Sequence, residues 1–161
     1  MKKYRLFFVL LLSIIVSACT TQCPPLTDSQ KADIEKQILD LSNKLADAAE
    51  KLDVTSWSNF LSSNEFLGWG SGGTVYHSRE VWLDSIGVWW NRRKSLEIGQ
   101  RKFDVTILSA DFVHVDRFSV NQLQYKNDQI LSFNQAVSFL YKKGATGWKI
   151  IHAHVSSNLI Q

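Results

Sequence analysis

Apolar residues recur along this chain in three rhythms, and each predicts a different structure. The first is an unbroken run, Leu6 to Val16, behind a short basic head, Met1-Lys2-Lys3-Tyr4-Arg5. The second spaces apolar residues by three and four: Ile34, Ile38, Leu41, Leu45, Ala48 and Leu52. That spacing lays one stripe along a helix of about six turns. Thr27-Asp28-Ser29-Gln30 ahead of it has the form of a capping box, and Pro24-Pro25 keeps the preceding segment extended. The same rhythm returns from Arg79 to Arg93, where Ser78 can cap and Trp82, Ile86, Trp89 and Trp90 cluster. A shorter helix is expected over Thr55 to Leu61, burying Trp57 and Phe60.

The third rhythm is the strand pattern. Lys94 to Leu108, Asp111 to Tyr125, Ile130 to Lys143 and Gly147 to Ser156 are rich in Val, Ile, Phe and Thr. Turn signals at Ser109-Ala110, Lys126-Asn127-Asp128 and Lys143-Gly144 separate them. Short connections favour antiparallel neighbours. Helices followed by a four-strand meander predict an α+β fold, with N-terminal helices packed in a curved antiparallel sheet. Glu65 to Trp69 adds a short strand, and Gly68, Gly70, Gly72 and Gly73 mark turns. No lysine follows those glycines and their spacing fits neither phosphate-loop fingerprint.

The first apolar run is short for a mature span and ends in small residues, as a secretory signal does. Val16-Ser17-Ala18-Cys19 resembles the bacterial lipoprotein signal, in which the cysteine becomes the first residue and carries acyl chains. Gln22 before Cys23 is neither small nor apolar, so Cys19 is the expected lipidation site. More than one acyl chain is needed for stable anchoring, and the resemblance implies that. Thr20 stands where aspartate would imply inner-membrane retention in a Gram-negative bacterium. The expected place is therefore the outer membrane, lipid-anchored and facing the periplasm. The organisation expected is a signal peptide over 1–18, a lipidated tether over 19–27 and one domain over 28–161.

Removing residues 1–18 takes the formal charge from +3 to 0, because Lys2, Lys3 and Arg5 go with them. A neutral body has no electrostatic footprint for nucleic acid. With Cys19 acylated, Cys23 is the remaining thiol and no internal disulfide can form. Six tryptophans and nine phenylalanines supply more aromatic bulk than packing alone requires.

Gly147-Trp148-Lys149-Ile150-Ile151-His152-Ala153-His154-Val155-Ser156 resembles the closing strand of SnoaL-like proteins. These belong to the nuclear transport factor 2-like, or ketosteroid-isomerase-like, superfamily, whose pattern there is roughly W-[KR]-I-x-H-x-H-x-S. Gly73 to Val81 is similar to the family's middle segment, and the likeness covers about Ser29 to Asn158. It implies a cone: a strongly bent sheet around helices, with a pocket at the wide end. It also implies a homodimer through the open sheet face, as is common in the superfamily. Isomerases, dehydratases, cyclases, binding modules and assembly domains share this fold, so the likeness carries the fold and leaves the chemistry open.

Strict alternation puts Trp148, Ile150, His152, His154 and Ser156 on one face of the last strand. The two histidines can then be polar lining of the pocket, structural groups, or metal ligands needing a third partner. His77 and His114 qualify as that partner by type alone, and no H-x-x-x-H or H-E-x-x-H occurs, so no metal or cofactor is expected. His114 and Asp116 share parity with Phe112 and Phe118. They suit either a general base with its orienting carboxylate or two polar residues facing solvent. Proton-transfer enzymes of the superfamily place an Asp, or an Asp–His pair, in the cone. If the chain is an enzyme, His114, Asp116 and His154 are the expected catalytic groups.

Trp69, Tyr76, Trp82, Trp90, Phe133 and Phe139 supply apolar area, and Gln122, Gln124, Asn134 and Gln135 supply uncharged hydrogen bonds. The expected pocket set is Trp69, Tyr76, Trp82, Trp90, His114, Phe133, Gln135, His152 and His154. Such a pocket suits a small, neutral, largely apolar or aromatic molecule bound without catalysis. An acid/base enzyme of isomerase, dehydratase or hydrolase type and a homodimeric assembly module are the alternatives.

Overall fold

The computed structural model describes residues 25–160. Cys19, Cys23 and the expected signal peptide lie outside the described residues. Among the described residues, no helix is long and apolar enough to cross a membrane.

The first helix of the described residues, α1, spans Asp28–Glu50 and starts on the capping box the sequence predicts. Thr27 accepts from the Gln30 backbone N–H while the Gln30 side chain accepts from the Thr27 N–H. Its stripe buries Ile34, Ile38, Leu45 and Ala48. The helix stops sooner than the apolar spacing implies. Leu52 takes a left-handed φ of 53°, and the N–H groups of Leu52 and Asp53 return to the carbonyls of Ala49 and Ala48. Asp53 then caps α2, Val54–Ser58, which buries Trp57. Ser78 caps α3, Arg79–Asn91, which buries Trp82 and Trp90.

Among the described residues the sheet has seven strands: β1 (Leu67–Trp69), β2 (Val75–Tyr76), β3 (Arg93–Ile98), β4 (Lys102–Ile107), β5 (Phe112–Tyr125), β6 (Ile130–Gly144) and β7 (Gly147–Leu159). They lie in the order β2-β1-β7-β6-β5-β3, and β4 also pairs with β5. All pairings are antiparallel except β1 with β7. The single strand expected from Lys94 to Leu108 is two, β3 and β4, laid end to end along β5. The break falls at Gly99, whose N–H donates to the Val120 carbonyl. A Cβ there would sit 2.5 Å from that same oxygen, so only glycine allows the approach.

Two further irregularities set which side chains face inward. In β3, Arg93 pairs with Tyr125 and Ser95 with Gln124, leaving Lys94 as an extra residue. In β7, Ile150 pairs with Tyr141 and His152 with Leu140, leaving Ile151 as an extra residue. Each bulge shifts the inward set by one position.

The α1 stripe packs against the concave face. Ile38 and Leu45 meet a core built from Val113, Val115, Val137, Phe139, Tyr141 and Ile150. Each such side chain contributes about 1.5–3 kcal/mol by leaving water. Where α1 crosses the sheet, the Ser42 hydroxyl and the Tyr141 hydroxyl share a buried hydrogen bond of 3.1 Å. The result is the expected α+β cone, a curved and unclosed sheet around N-terminal helices.

Candidate functional site

A cavity of about 440 Å³ opens between α3 and the concave face of the sheet. Trp57, Tyr76, Trp82, Trp89 and Trp90 form its helix side. Leu123, Phe133, Val137, Phe139 and Val155 form its sheet side. The aromatic wall is locked by its own contacts. Trp82 stacks on Trp57 at 6.4 Å and meets Tyr76 edge-on at 4.9 Å. Trp90 meets Trp57 edge-on at 6.0 Å. The Tyr76 hydroxyl is tied to the Ser85 hydroxyl at 3.0 Å. Gly68 of β1 lies directly under Trp82, leaving no room for a side chain there.

Among the described residues two charged side chains line this wall, and both are arginines. Arg93 is placed there by the bulge at Lys94. Its guanidinium lies 3.5 Å from the Trp89 ring centroid and 4.9 Å from that of Tyr125, donates to the Trp89 carbonyl, and reaches the Tyr125 hydroxyl at 3.5 Å. Arg117 points inward from β5 and is only 5% exposed. It donates to Gln135 Oε1 at 2.7 Å, and Asn121 Nδ2 donates to the same oxygen at 3.1 Å. Gln135 Nε2 continues the chain to the Ser157 hydroxyl. Burial pushes Arg117 down to about 10, helped by the charge of Arg101, so the group stays protonated at neutral pH. Burial also lowers Arg93.

Of the expected pocket residues, Tyr76, Trp82, Trp90, Phe133 and Gln135 line the cavity. His114, His152, His154 and Trp69 do not. The histidines of β7 lie on the outer face because the Ile151 bulge reverses the alternation after Ile150. Trp148 and Ile150 stay inside, and beyond the bulge Val155 and Ser157 take the inward positions. Trp69 is 47% exposed and lies against His152 and His154 at 6.1 and 6.2 Å. On β5 the inward set is Val113, Val115, Arg117 and Asn121, so His114 and Asp116 also face outward. Gln122 and Asn134 likewise sit at outward, exposed positions.

The outer face therefore gathers the titratable groups that the sequence offered for catalysis. His114 Nδ1 lies 3.7 Å from Asp116 Oδ2, and the Ser138 hydroxyl donates to Asp116 Oδ1. His154 pairs across from Ser138, and His152 from Leu140, which itself faces His114. Partial burial and then the nearby His154 and His114 hold His152 below the ordinary imidazole range. Among the described residues, no three His, Cys, Asp or Glu side chains converge in a way that would hold a metal ion. Both arginines escaped the sequence reading. Arg93 closes the stretch read as helix, which in the structure stops at Asn91 so that Arg93 opens β3, whereas Arg117 shares the inward parity of Val113 and Val115 and was legible from that alternation.

A sequence model described as a SnoaL-like domain matches residues 38–160. No curated protein matches the chain. Solved structures do. A provisionally named dehydratase of the NTF2-like family from Streptomyces avermitilis superposes with a TM-score of 0.70 at 15% identity, covering 81% of this chain and 99% of its own. A hexachlorocyclohexane dehydrochlorinase from Novosphingobium barchaimii gives 0.72 at 16% identity, covering 83% and 93%. A ketosteroid isomerase-like protein from Erwinia carotovora atroseptica gives 0.63 at 16% identity, covering 72% and 89%. At such identities the likeness is one of fold.

Proposed function

The chain belongs to the SnoaL-like domain family, and from that premise we propose that it is a binding protein for a small, largely apolar molecule held in the cone without chemical change. One observation carries this reading. The cavity is walled by aromatic and aliphatic side chains, and among the described residues no Asp, Glu or His lines it. Apolar concavities with a few polar groups are the usual seats of small ligands. Acid/base catalysis needs a group there that exchanges protons near neutral pH.

Native mass spectrometry of the purified full chain tests it. A reproducible added mass that leaves on denaturation is the expected result. A bare chain whose tryptophan fluorescence also stays flat against a panel of aromatic and aliphatic ligands would sink the proposal.

Enzyme activity is the second reading. Dehydratase and dehydrochlorinase names among proteins of the same fold favour it, as does the His114–Asp116 contact. That pair lies on the outer face, so this chemistry would need a substrate on the open sheet. Loss of turnover in Asp116→Asn, with cavity binding intact, would favour it.

The proposed setting is a membrane surface. Acyl chains on Cys19 hold the domain at the outer membrane, facing the periplasm, and the outer sheet face pairs two copies. Trp69, Phe118 and Val120 support the pairing, since that face leaves them 47%, 52% and 54% exposed. Cys19→Ser should abolish palmitate labelling and membrane fractionation, and Phe118→Glu should shift the native mass from dimer to monomer.

A further inference from the structure

The cavity reading names an apolar body for the ligand and leaves its polar end open. Three lining side chains carry a buried nitrogen without a hydrogen-bond partner among the described residues: Trp82 Nε1, Arg93 Nε and Arg117 Nε. All three are donors. Asn121 Oδ1, an acceptor just outside the lining, is unpartnered too, so the shortage of acceptors is one of the lining itself.

It is also short of negative charge. Among the described residues, no carboxylate forms an ion pair with Arg93 or Arg117. Glu50, whose field reaches Arg117, is already committed. Its Oε2 accepts from Arg101 at 2.8 Å and its Oε1 from the Ile98 N–H at 2.8 Å. A buried cation without a counter-charge is costly, and the cost is relieved when an anion arrives with it.

The two arginines are not equivalent. Arg93 is held between Trp89 and Tyr125 and donates to a backbone carbonyl, so it serves as part of the aromatic wall. Arg117 has Gln135 Oε1 as its one acceptor among the described residues. It lies four residues from Asn121 on the same face of β5, and both converge on Gln135. A planar fork with donors to spare is suited to a carboxylate.

We infer that the ligand is an amphipathic acid, an apolar or aromatic body ending in a carboxylate that pairs with Arg117. This rests on the cavity reading and replaces the neutral ligand expected from the glutamines. The apolar body lies against Trp82, Trp90 and Phe133. Arg117 supplies the charge, and Gln135 holds its guanidinium in place.

The test compares 2-naphthoate with its neutral isostere 2-naphthamide by calorimetry on the purified full chain. The acid should bind about tenfold to a hundredfold more tightly, the range expected for one charged hydrogen bond. Arg117→Gln should erase that preference, and Arg117→Lys, which keeps the charge, should retain part of it. Equal affinity for acid and amide in the unmodified chain overturns the inference and leaves the cavity reading standing. A preference that survives Arg117→Gln overturns the assignment to Arg117. Binding of neither probe overturns the inference, and the added mass and the ligand panel then decide the cavity reading separately.

Discussion

Ile150 and His152 stand two residues apart on the closing strand and face opposite sides of the sheet. Ile150 is fully buried opposite Tyr141, while His152 lies outward opposite Leu140. The extra residue, Ile151, makes the difference. Because of it, Ala153 is buried in the core and the cavity wall beyond it is built from Val155 and Ser157 rather than imidazoles. The bulge thus keeps ionisable groups of β7 out of the cone and collects them around Trp69 on the outer face.

That placement gives a pH dependence with a definite sign. His152 is held below its ordinary value of 6.5, first by partial burial and then by His154 and His114. The unfolded chain therefore takes up this proton more readily than the folded one. Stability from this group is full above about pH 6.5 and falls as the pH drops through the folded value. Melting curves between pH 7 and pH 5 should show a larger loss for the unmodified chain than for His152→Gln. Parallel curves would show that His152 does not titrate as its surroundings require.

Gly68 carries a prediction about the cavity rather than the sheet. A Cβ at this position would overlap the ring of Trp82, which is 4% exposed and cannot tilt into solvent. In Gly68→Ala the ring must move toward the cavity or the strand must shift. Overpacking of this kind costs about 1–3 kcal/mol. The expected outcome is a lower melting temperature together with weaker ligand binding and a changed tryptophan emission. An unchanged emission spectrum with full binding would mean that Trp82 is not part of the wall.

The buried Ser42–Tyr141 bond gives a prediction about the core. Burial pushes the Tyr141 hydroxyl up to about 12 even though Ser42 pulls the other way, so it remains a neutral hydroxyl at any working pH. Tyr141→Phe keeps the ring and its contact with Phe139. It leaves the Ser42 hydroxyl, 1% exposed, without that partner. The expected loss is about 1–2 kcal/mol in denaturant unfolding. The double variant with Ser42→Ala should recover part of it, because no orphan hydroxyl then remains.

The fold was legible where one periodicity ran unbroken. The Ile34 to Ala48 stripe, the Thr27 capping box and the Ser78 cap all lie where spacing puts them. What escaped were the departures from period two. The break at Gly99 had a local mark, a glycine inside a strand run, but the Val120 carbonyl that requires it comes from another strand. The bulges at Lys94 and Ile151 each add a residue without any glycine or proline to mark them. One extra residue exchanges the faces of every side chain beyond it. That is how His152 and His154 left the cavity, whereas Arg93 entered it because β3 begins at the residue read as the end of the helix. His114 and Asp116 lie on an uninterrupted strand, and there the error was different. Parity groups residues on a face, and it was Val113 and Val115, not Phe112 and Phe118, that marked the inner one.

A last pair of variants separates the two faces of the sheet. Gln135 faces the cavity, and its carbonyl oxygen accepts from both Arg117 and Asn121. In Gln135→Leu both donors lose that acceptor while the side-chain volume is roughly kept. Each buried donor left unpaired costs about 1–3 kcal/mol. Arg117 is also freed from the geometry that aims it. Binding of 2-naphthoate should therefore weaken by about tenfold or more, with a lower melting temperature. Asp116, one position from Arg117 on the same strand, points to the other side and holds Ser138 and His114. Asp116→Asn should leave the affinity for 2-naphthoate unchanged, because nothing it touches reaches the cavity. If Asp116→Asn weakens binding and Gln135→Leu does not, the ligand lies on the outer face among the histidines, and the acid/base reading gains the ground the cavity loses.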